Sequence, residues 1–196
     1  MGEDRADRIL NAALEAIMEH GSSKVSLEDV GRRIGVSKSA IYHYFPNKQE
    51  MIRAVFVREI NRMQATMEAA VAHASDPEAK LRALFKARFD FMNRKGGPNS
   101  WSLETLFDIE PHTRALLPIL RGAEEDLIAG VLRQGMESGH FEAADPAIAA
   151  SVLVSCLHGF QENFLMVPKE RTRKERLGAF TRLILEGLLA RPAAEE

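Results

Sequence analysis

Apolar residues recur with the period of an α-helix along almost the whole chain. In the first segment Ile9, Ala13 and Ile17 lie four residues apart, so they share one face of a helix that ends near Gly21, which is expected to supply a left-handed C-terminal cap. No segment shows the strict alternation of apolar and polar residues that is typical of a β-strand. The pattern therefore predicts an all-α protein of about nine helices.

Capping and turn residues divide the next stretch into two short helices. Ser26 is expected to cap a second helix, with Asp29 three residues on as a variant of the capping box, and Ser37 is expected to cap a third. Gly31 leaves room for another helix to approach closely, and Gly35 makes the turn. This spacing predicts a helix-turn-helix, although a plain helical hairpin needs the same signals.

The third predicted helix has two dissimilar faces. Ile41 and Phe45 point one way, with Tyr44 beside them, and Ser39 and His43 lie on the other side. An ordinary solvated helix would carry Glu and Lys on that other side, whereas this face has no acidic residue. Such a face suits an element that enters a DNA groove.

The fourth predicted helix is long enough to connect two modules. Asn47 caps its start, and Lys48 then lies at a helix N-terminus, where the backbone N–H groups favour an anion such as phosphate. Asp76 and Asp145 are expected to begin further helices, and Pro118 predicts a kink or a late start in the helix that contains it.

The helix predicted from residue 146 to about 166 is apolar nearly all round, so it must be buried on more than one side. We therefore expect a homodimer in which the last two helices of each subunit form a four-helix interface, although a monomer with this helix at its centre is the alternative. The residues assigned to the interface are Ser151, Ser155, Gly159, Phe180, Ile184 and Leu188.

Composition and motifs exclude several classes of protein. The 196 residues carry a formal charge of −2, so any charge that attracts DNA must be local. The single cysteine, Cys156, excludes an intramolecular disulfide, and no apolar stretch approaches the roughly 20 residues of a membrane helix, so we expect a soluble cytoplasmic protein without a membrane partner. The six scattered histidines and the absence of nucleotide-binding or catalytic motifs predict no metal, no cofactor and no enzyme.

The helix-turn-helix region resembles the signature of the TetR/AcrR family of transcriptional regulators, and the similarity is dense from residue 9 to residue 57. Gly31 is a departure, because the family usually has Ala there. Beyond residue 57 the resemblance is one of length and helical composition. The residues that carry the resemblance are Ser26, Val30, Gly31, Ile34, Gly35, Val36, Ser37, Ile41, Tyr42, His43, Tyr44, Phe45, Pro46, Asn47 and Lys48.

The resemblance implies a DNA-binding domain at residues 1–47 and a helical effector-binding and dimerisation domain at 48–196. Members of the family bind a near-palindromic double-stranded DNA operator as dimers. Carried over to this sequence, Ser39, Ala40 and His43 would face base edges. The residues that would bind phosphates are Ser26, Arg33, Ser37, Lys38, Tyr42 and Lys48.

The middle of the chain holds a candidate ligand pocket, although its aromatic residues are also ordinary core residues. His158 and Glu162 would either orient a polar end of the ligand or form hydrogen bonds across the dimer. The resemblance implies a repressor that a small apolar or amphipathic effector releases from DNA. The alternatives are an architectural or cell-division DNA-binding protein without an effector, and a small-molecule carrier or enzyme. The pocket residues are Phe85, Phe89, Met92, Trp101, Leu106, Phe107, His158 and Glu162.

Overall fold

The computed structural model describes the backbone of residues 5–94, 117–142, 145–162 and 170–189, and the side chains of residues 5–94, 118–142, 145–159 and 174–189. Within these ranges the regular structure is helical, which confirms the predicted all-α class. A short 3-10 turn at Ser22–Lys24 follows the first helix, and Phe141 and Leu189 form an isolated β-bridge. The described helices are α1 Arg5–His20, α2 Leu27–Arg33, α3 Lys38–Tyr44, α4 Lys48–His73, α5 Pro77–Asn93, α6 Leu117–Glu137, α7 Pro146–Glu162 and α8 Glu170–Leu188.

The chain forms two compact units. The N-terminal unit comprises Met1–Arg62 and Asn93–Ile119, and the C-terminal unit comprises Met63–Met92 and Leu120–Glu196. The long helix α4 contributes residues to both. The division of function expected after residue 47 stays a prediction.

The core of the N-terminal unit gathers apolar residues from its first four helices. Ile9 and Ile17 of α1, Val30 of α2 and Ile41 of α3 are fully buried, and Ile52 of α4 is 1% exposed. The short helices α2 and α3 each pack one face into this core. Seven residues are too few to form a stable helix in isolation, so this packing stabilises them.

The predicted caps of the helix-turn-helix are confirmed. The Ser26 hydroxyl accepts a hydrogen bond from the Asp29 N–H at 3.1 Å, and the Ser37 hydroxyl accepts one from the Ala40 N–H at 3.3 Å. The Asn47 side chain accepts from the N–H of Glu50 at 2.8 Å at the start of α4. These bonds satisfy N–H groups that have no partner inside the helix.

Two glycines differ in detail from their expected roles. Gly21 has φ of 81° as expected, but its ψ of 153° lies outside the left-handed helical region. A Cβ on Gly31 would lie 2.9 Å from the carbonyl oxygen of Val36 and 3.6 Å from the Ile41 side chain of α3, so the tightest approach is to the backbone of the turn, and the neighbouring helix lies just beyond it. Gly35 occupies that turn with φ of 70°.

In the C-terminal unit, apolar faces of α5, α6, α7 and α8 surround a second core. Asp76 caps α5 by accepting from the Ala79 N–H at 2.8 Å, and Asp145 caps α7 by accepting from the Ala147 N–H at 2.7 Å. Pro118 lies in the first turn of α6, which is the late start that its ring predicts. The most deeply buried core side chains are Met67, Leu81, Leu84, Phe85, Ile128, Leu132, Ala150, Val154 and Leu185.

Candidate nucleic-acid interface

Helix α3 separates an anchored face from a solvent-facing one. Ile41 is fully buried and Phe45 is 9% exposed, whereas Ser39 and His43 are exposed. Tyr44, which was expected beside the apolar pair, is 36% exposed, and its ring meets the His43 ring edge-on with centroids 5.7 Å apart. The face that was predicted to enter a groove is therefore open to solvent.

An acidic residue from α2 lies beside this face. The carboxylate of Glu28 accepts a hydrogen bond from the Tyr42 hydroxyl at 3.0 Å and forms an ion pair with the Lys38 ammonium at 2.9 Å. The Lys38 bond lowers the pKa of Glu28 and raises that of Lys38. The Tyr42 bond raises the pKa of the phenol, because the carboxylate holds its proton. Helix α3 itself contains no acidic residue, but Glu28 of α2 places a carboxylate beside it.

Lys48 supports the helix-turn-helix from the start of α4. Its ammonium donates to the carbonyl oxygen of Ser23 at 2.6 Å, so it connects α4 to the 3-10 turn after α1. An ammonium has three donors, and this bond uses one of them. A phosphate contact of Lys48 would use another of these donors and stays a prediction.

Arg33 is engaged within the N-terminal unit. Its guanidinium lies 2.5 Å from the Glu19 carboxylate and 3.8 Å from that of Glu15, both on α1. This contact lowers the pKa of Glu19 and raises that of Arg33. A phosphate contact by Arg33 would have to compete with these carboxylates.

The two serines assigned to phosphate contacts already act as helix caps. The Ser26 hydroxyl donates to the Asp29 carboxylate at 2.5 Å, and the Ser37 and Ser39 hydroxyls lie 3.2 Å apart. Ser37 and Ser39 are exposed and Ser26 is half-buried. A serine oxygen can serve a cap and a phosphate together only if its hydrogen points to the phosphate.

A cluster of charged residues lies inside the C-terminal unit. Glu124 of α6 is 2% exposed, and its two carboxylate oxygens meet different partners, Arg88 of α5 at 2.8 Å and His158 of α7 at 2.7 Å. Burial raises the pKa of Glu124, but the bonds from His158 and Arg88 outweigh it, so the net shift is downward. The cluster joins three helices of this unit. His158 thus has a partner within its own chain.

The side chains around this cluster pack so closely that no room for a water molecule remains between them. They combine an apolar wall with the charged pair Arg88 and Glu124, and the residues are Met67, Leu84, Arg88, Glu124, Leu127, Ile128 and Leu157.

The residues predicted for the pocket fall into three groups. Phe85 and Met92 are buried core residues and Phe89 is half-buried; the Phe85 ring packs edge-on against the ring of Phe180 at 5.8 Å. His158 joins the charged cluster. The others lie outside the described side chains, namely Trp101, Leu106, Phe107 and Glu162.

Comparison with known proteins decides the family. A family model described as bacterial regulatory proteins of the tetR family matches residues 9–55, and one described as the tetracyclin repressor-like C-terminal domain matches residues 77–179, which is more than half of the chain. The chain belongs to the TetR family.

Individual relatives of this TetR-family chain are distant. The HTH-type transcriptional activator FasR of Mycolicibacterium smegmatis is 25% identical over 138 residues, covering 69% of this chain and 63% of FasR. The HTH-type transcriptional regulator BetI of Agrobacterium fabrum is 33% identical over 85 residues, covering 43% of this chain and 41% of BetI. The matched regions thus cover less than two thirds of the full length of these two curated relatives. Homologues of this kind are transcriptional regulators and not enzymes.

A solved structure shares the fold over nearly the whole chain. That of the fatty acid degradation regulator FadR from Bacillus halodurans superposes with a TM-score of 0.77, covers 97% of this chain and 100% of FadR, and is 22% identical in sequence. At this identity the match establishes the fold.

The TetR-family chain exposes apolar residues on α7 and α8. Ile148 and Val152 of α7 are 66% and 56% exposed, and Leu183 of α8 is 70% exposed. Of the residues predicted for a dimer interface, three lie on α7: Ser155 is exposed, and Ser151 and Gly159 are half-buried. The three on α8 are half-buried against the second core, namely Phe180, Ile184 and Leu188. The most exposed apolar side chain of α8 is thus one that the prediction did not name.

Three residues near the candidate sites were not predicted from the sequence. Arg88 lies four residues after Leu84 on the apolar stripe of α5, and Glu124 lies four residues before the buried Ile128. A charged residue at an apolar helical position is the signal that would have singled out both. Glu28 offers no such signal, because it reads as an ordinary residue of a first helical turn.

Among the described residues, no group of histidine, cysteine and acidic side chains is placed to hold a metal ion, and no described helix is long and apolar enough to cross a membrane.

Proposed function

We propose that the protein is a ligand-responsive transcriptional regulator that binds a palindromic DNA operator as a homodimer. The observation that carries the proposal is the two-faced helix α3, anchored by Ile41 and presenting Ser39 and His43 to solvent. Serine and histidine side chains can donate to or accept from base edges in the major groove, and Ala40 beside them can contact a thymine methyl group.

The phosphate backbone would be held around this helix. Lys38 and Tyr42 on α3 and Lys48 at the start of α4 supply donors, and the hydroxyls of Ser26 and Ser37 lie at the helix starts. Phosphate contacts fix the register and orientation of the protein and carry no direct sequence information.

Dimerisation through α7 and α8 would place two copies of α3 on one operator. The exposed apolar side chains of Ile148, Val152 and Leu183 favour this interface, because contact with the same helices of a second subunit would bury them. Dimeric helix-turn-helix proteins read half-sites about 34 Å apart.

A small apolar or amphipathic effector would control DNA binding from the C-terminal unit. The side chains around Arg88 and Glu124 support this, because they combine an apolar wall with a polar end, as the linings of ligand pockets do, and an effector would separate them to enter. In our proposal the protein is a repressor, and the effector favours a conformation whose two recognition helices no longer match successive major grooves.

Selection of bound fragments from random DNA by the purified protein, at two salt concentrations, tests DNA binding. We expect a short palindrome whose recovery falls steeply with salt. Recovery of DNA without sequence preference, together with the absence of release by a panel of apolar and amphipathic compounds, would favour an architectural protein. Recovery of no DNA with or without cell extract would contradict the proposal.

Two substitutions separate base contacts from phosphate contacts. His43→Ala should relax sequence preference at one position of each half-site, at a cost of about 1–3 kcal/mol on the preferred base. Lys48→Ala should weaken binding to all sequences alike and reduce the salt slope by about one. Identical behaviour of the two variants on operator and random DNA, measured by fluorescence anisotropy, would show that these roles are wrongly assigned.

A further inference from the structure

Glu28 receives two donors of α3 on one carboxylate oxygen. Both the Tyr42 hydroxyl and the Lys38 ammonium approach Oε1, at 3.0 Å and 2.9 Å. The Lys38 ammonium also lies 5.8 Å from the centroid of the Tyr42 ring. The side chain of Lys38 is 71% exposed and that of Glu28 is 34% exposed, so solvent and other ions reach this cluster.

The donors of Tyr42 and Lys38 are limited in different ways. A tyrosine hydroxyl has one hydrogen to donate, and in the free protein that hydrogen goes to Glu28. Phosphate oxygens in the DNA backbone only accept hydrogen bonds. Tyr42 can therefore donate to a phosphate only after its bond to Glu28 breaks. Lys38 has two further donors, but a phosphate that approaches them also approaches the carboxylate.

We propose that Glu28 is an intramolecular competitor of the DNA backbone, occupying the phosphate-binding donors of Tyr42 and Lys38 until a phosphate displaces it. This inference rests on the proposed DNA-binding function and adds a residue of α2 that controls its strength. Because a phosphate contact carries no sequence information, the competition lowers affinity for operator and random DNA alike.

The competition also reduces the salt dependence of binding. When Lys38 exchanges Glu28 for a phosphate, the freed carboxylate regains its own counterions, so the net release of ions is small. Without the carboxylate charge, the same contact should release ions as an ordinary lysine contact does, and the slope of log K against log salt should steepen by up to about 0.9.

The test compares Glu28→Gln with the wild-type protein on operator and random duplexes, by fluorescence anisotropy over a range of salt. Glutamine keeps the size and an acceptor but removes the charge. We expect affinity for both duplexes to rise by about two- to fivefold, the range that an exposed pair of this kind represents. Glu50→Gln, which removes a charge from an exposed residue in the first turn of α4, is the matched control and should change affinity less.

A double-mutant cycle with Tyr42→Phe locates the effect. In the wild-type protein, removing the Tyr42 hydroxyl should weaken DNA binding little, because this donor must first be taken from Glu28. In Glu28→Gln the same change should weaken DNA binding more. An unchanged or weaker affinity of Glu28→Gln would show that Glu28 holds Lys38 and Tyr42 in place for DNA, and an equal rise in Glu50→Gln would reveal a general charge effect; either result overturns the inference. If wild-type protein and variant both fail to bind DNA at any salt, the proposed function itself fails.

A measurement without DNA checks the contact in solution. The sequence has two tyrosines, so the alkaline ultraviolet titration of Tyr42 can be separated from that of Tyr44 with a Tyr44→Phe background. Glu28→Gln should lower the pKa of the Tyr42 phenol, because a neutral acceptor holds its proton less strongly. An unchanged titration would contradict the hydrogen bond on which the competition depends.

Discussion

The two units each contain a glutamate whose carboxylate binds two side chains from other helices, one helix for Glu28 and two helices for Glu124, and the two clusters differ in burial. Glu28 in the N-terminal unit meets Lys38 and Tyr42, and its side chain is 34% exposed. Glu124 in the C-terminal unit meets Arg88 and His158, and its side chain is 2% exposed. The bond lengths are similar in the two clusters, between 2.7 and 3.0 Å.

Burial decides what each cluster contributes. An exposed ion pair adds little to stability, because water and salt replace either partner at small cost. Removing one partner of a buried pair leaves the other charge without compensation in a poorly solvated site. The exposed cluster can thus exchange a partner with a ligand, whereas the buried cluster holds α5, α6 and α7 together.

The largest expected effect is on stability. Glu124→Gln should destabilise the protein by about 3–5 kcal/mol, because it removes the buried carboxylate charge that Arg88 and His158 share. Urea unfolding at a fixed protein concentration measures the change. Glu125→Gln, a neighbouring residue of α6 whose pair with Arg121 is more exposed, is the control and should cost under about 1 kcal/mol. A small loss in both variants would contradict the importance of burial.

A smaller effect is expected in acid. The pKa of Glu124 is lowered in the folded protein, so its contribution to stability is complete above the ordinary glutamate pKa of about 4.3 and disappears as the pH falls through the lowered value. The stability difference between the wild-type protein and Glu124→Gln should therefore shrink as the pH falls below about 4.3. Urea unfolding across this range measures it, and a constant difference would show that the carboxylate charge is not the source of the stability.

The smallest effect on stability is expected at the exposed cluster. Glu28→Gln should leave the thermal and urea midpoints within error of the wild-type values, because the lost pair is exposed. The same variant is expected to bind DNA more tightly, so stability and affinity would separate at this residue. A large loss of stability would mean that Glu28 is a structural residue like Glu124.

The helix starts were predictable because their causes are local. Ser26, Ser37 and Asn47 each accept a hydrogen bond from a residue three positions on, and Asp76 and Asp145 do the same within three residues. Such bonds form whenever the chain begins a helix, whatever packs against it. The two faces of α3 follow in the same way from the helical period.

The candidate sites were only partly predictable, because their electrostatics depend on contacts between distant residues. Glu28 is 14 residues from Tyr42, Arg33 is 14 from Glu19, and Arg88 is 36 from Glu124. Each of these carboxylates changes what a predicted site residue or its neighbour can bind.

The sequence by itself determined the helical class, the caps, the helix-turn-helix and the resemblance to the TetR family. Only the tertiary structure decided that Lys38 and Tyr42 are held by Glu28, that Arg33 pairs with α1, and that α8 exposes Leu183. The reason is one of range: capping bonds and helical faces are set within about one turn of the chain, whereas an ion pair between helices exists only when packing brings two side chains within about 4 Å.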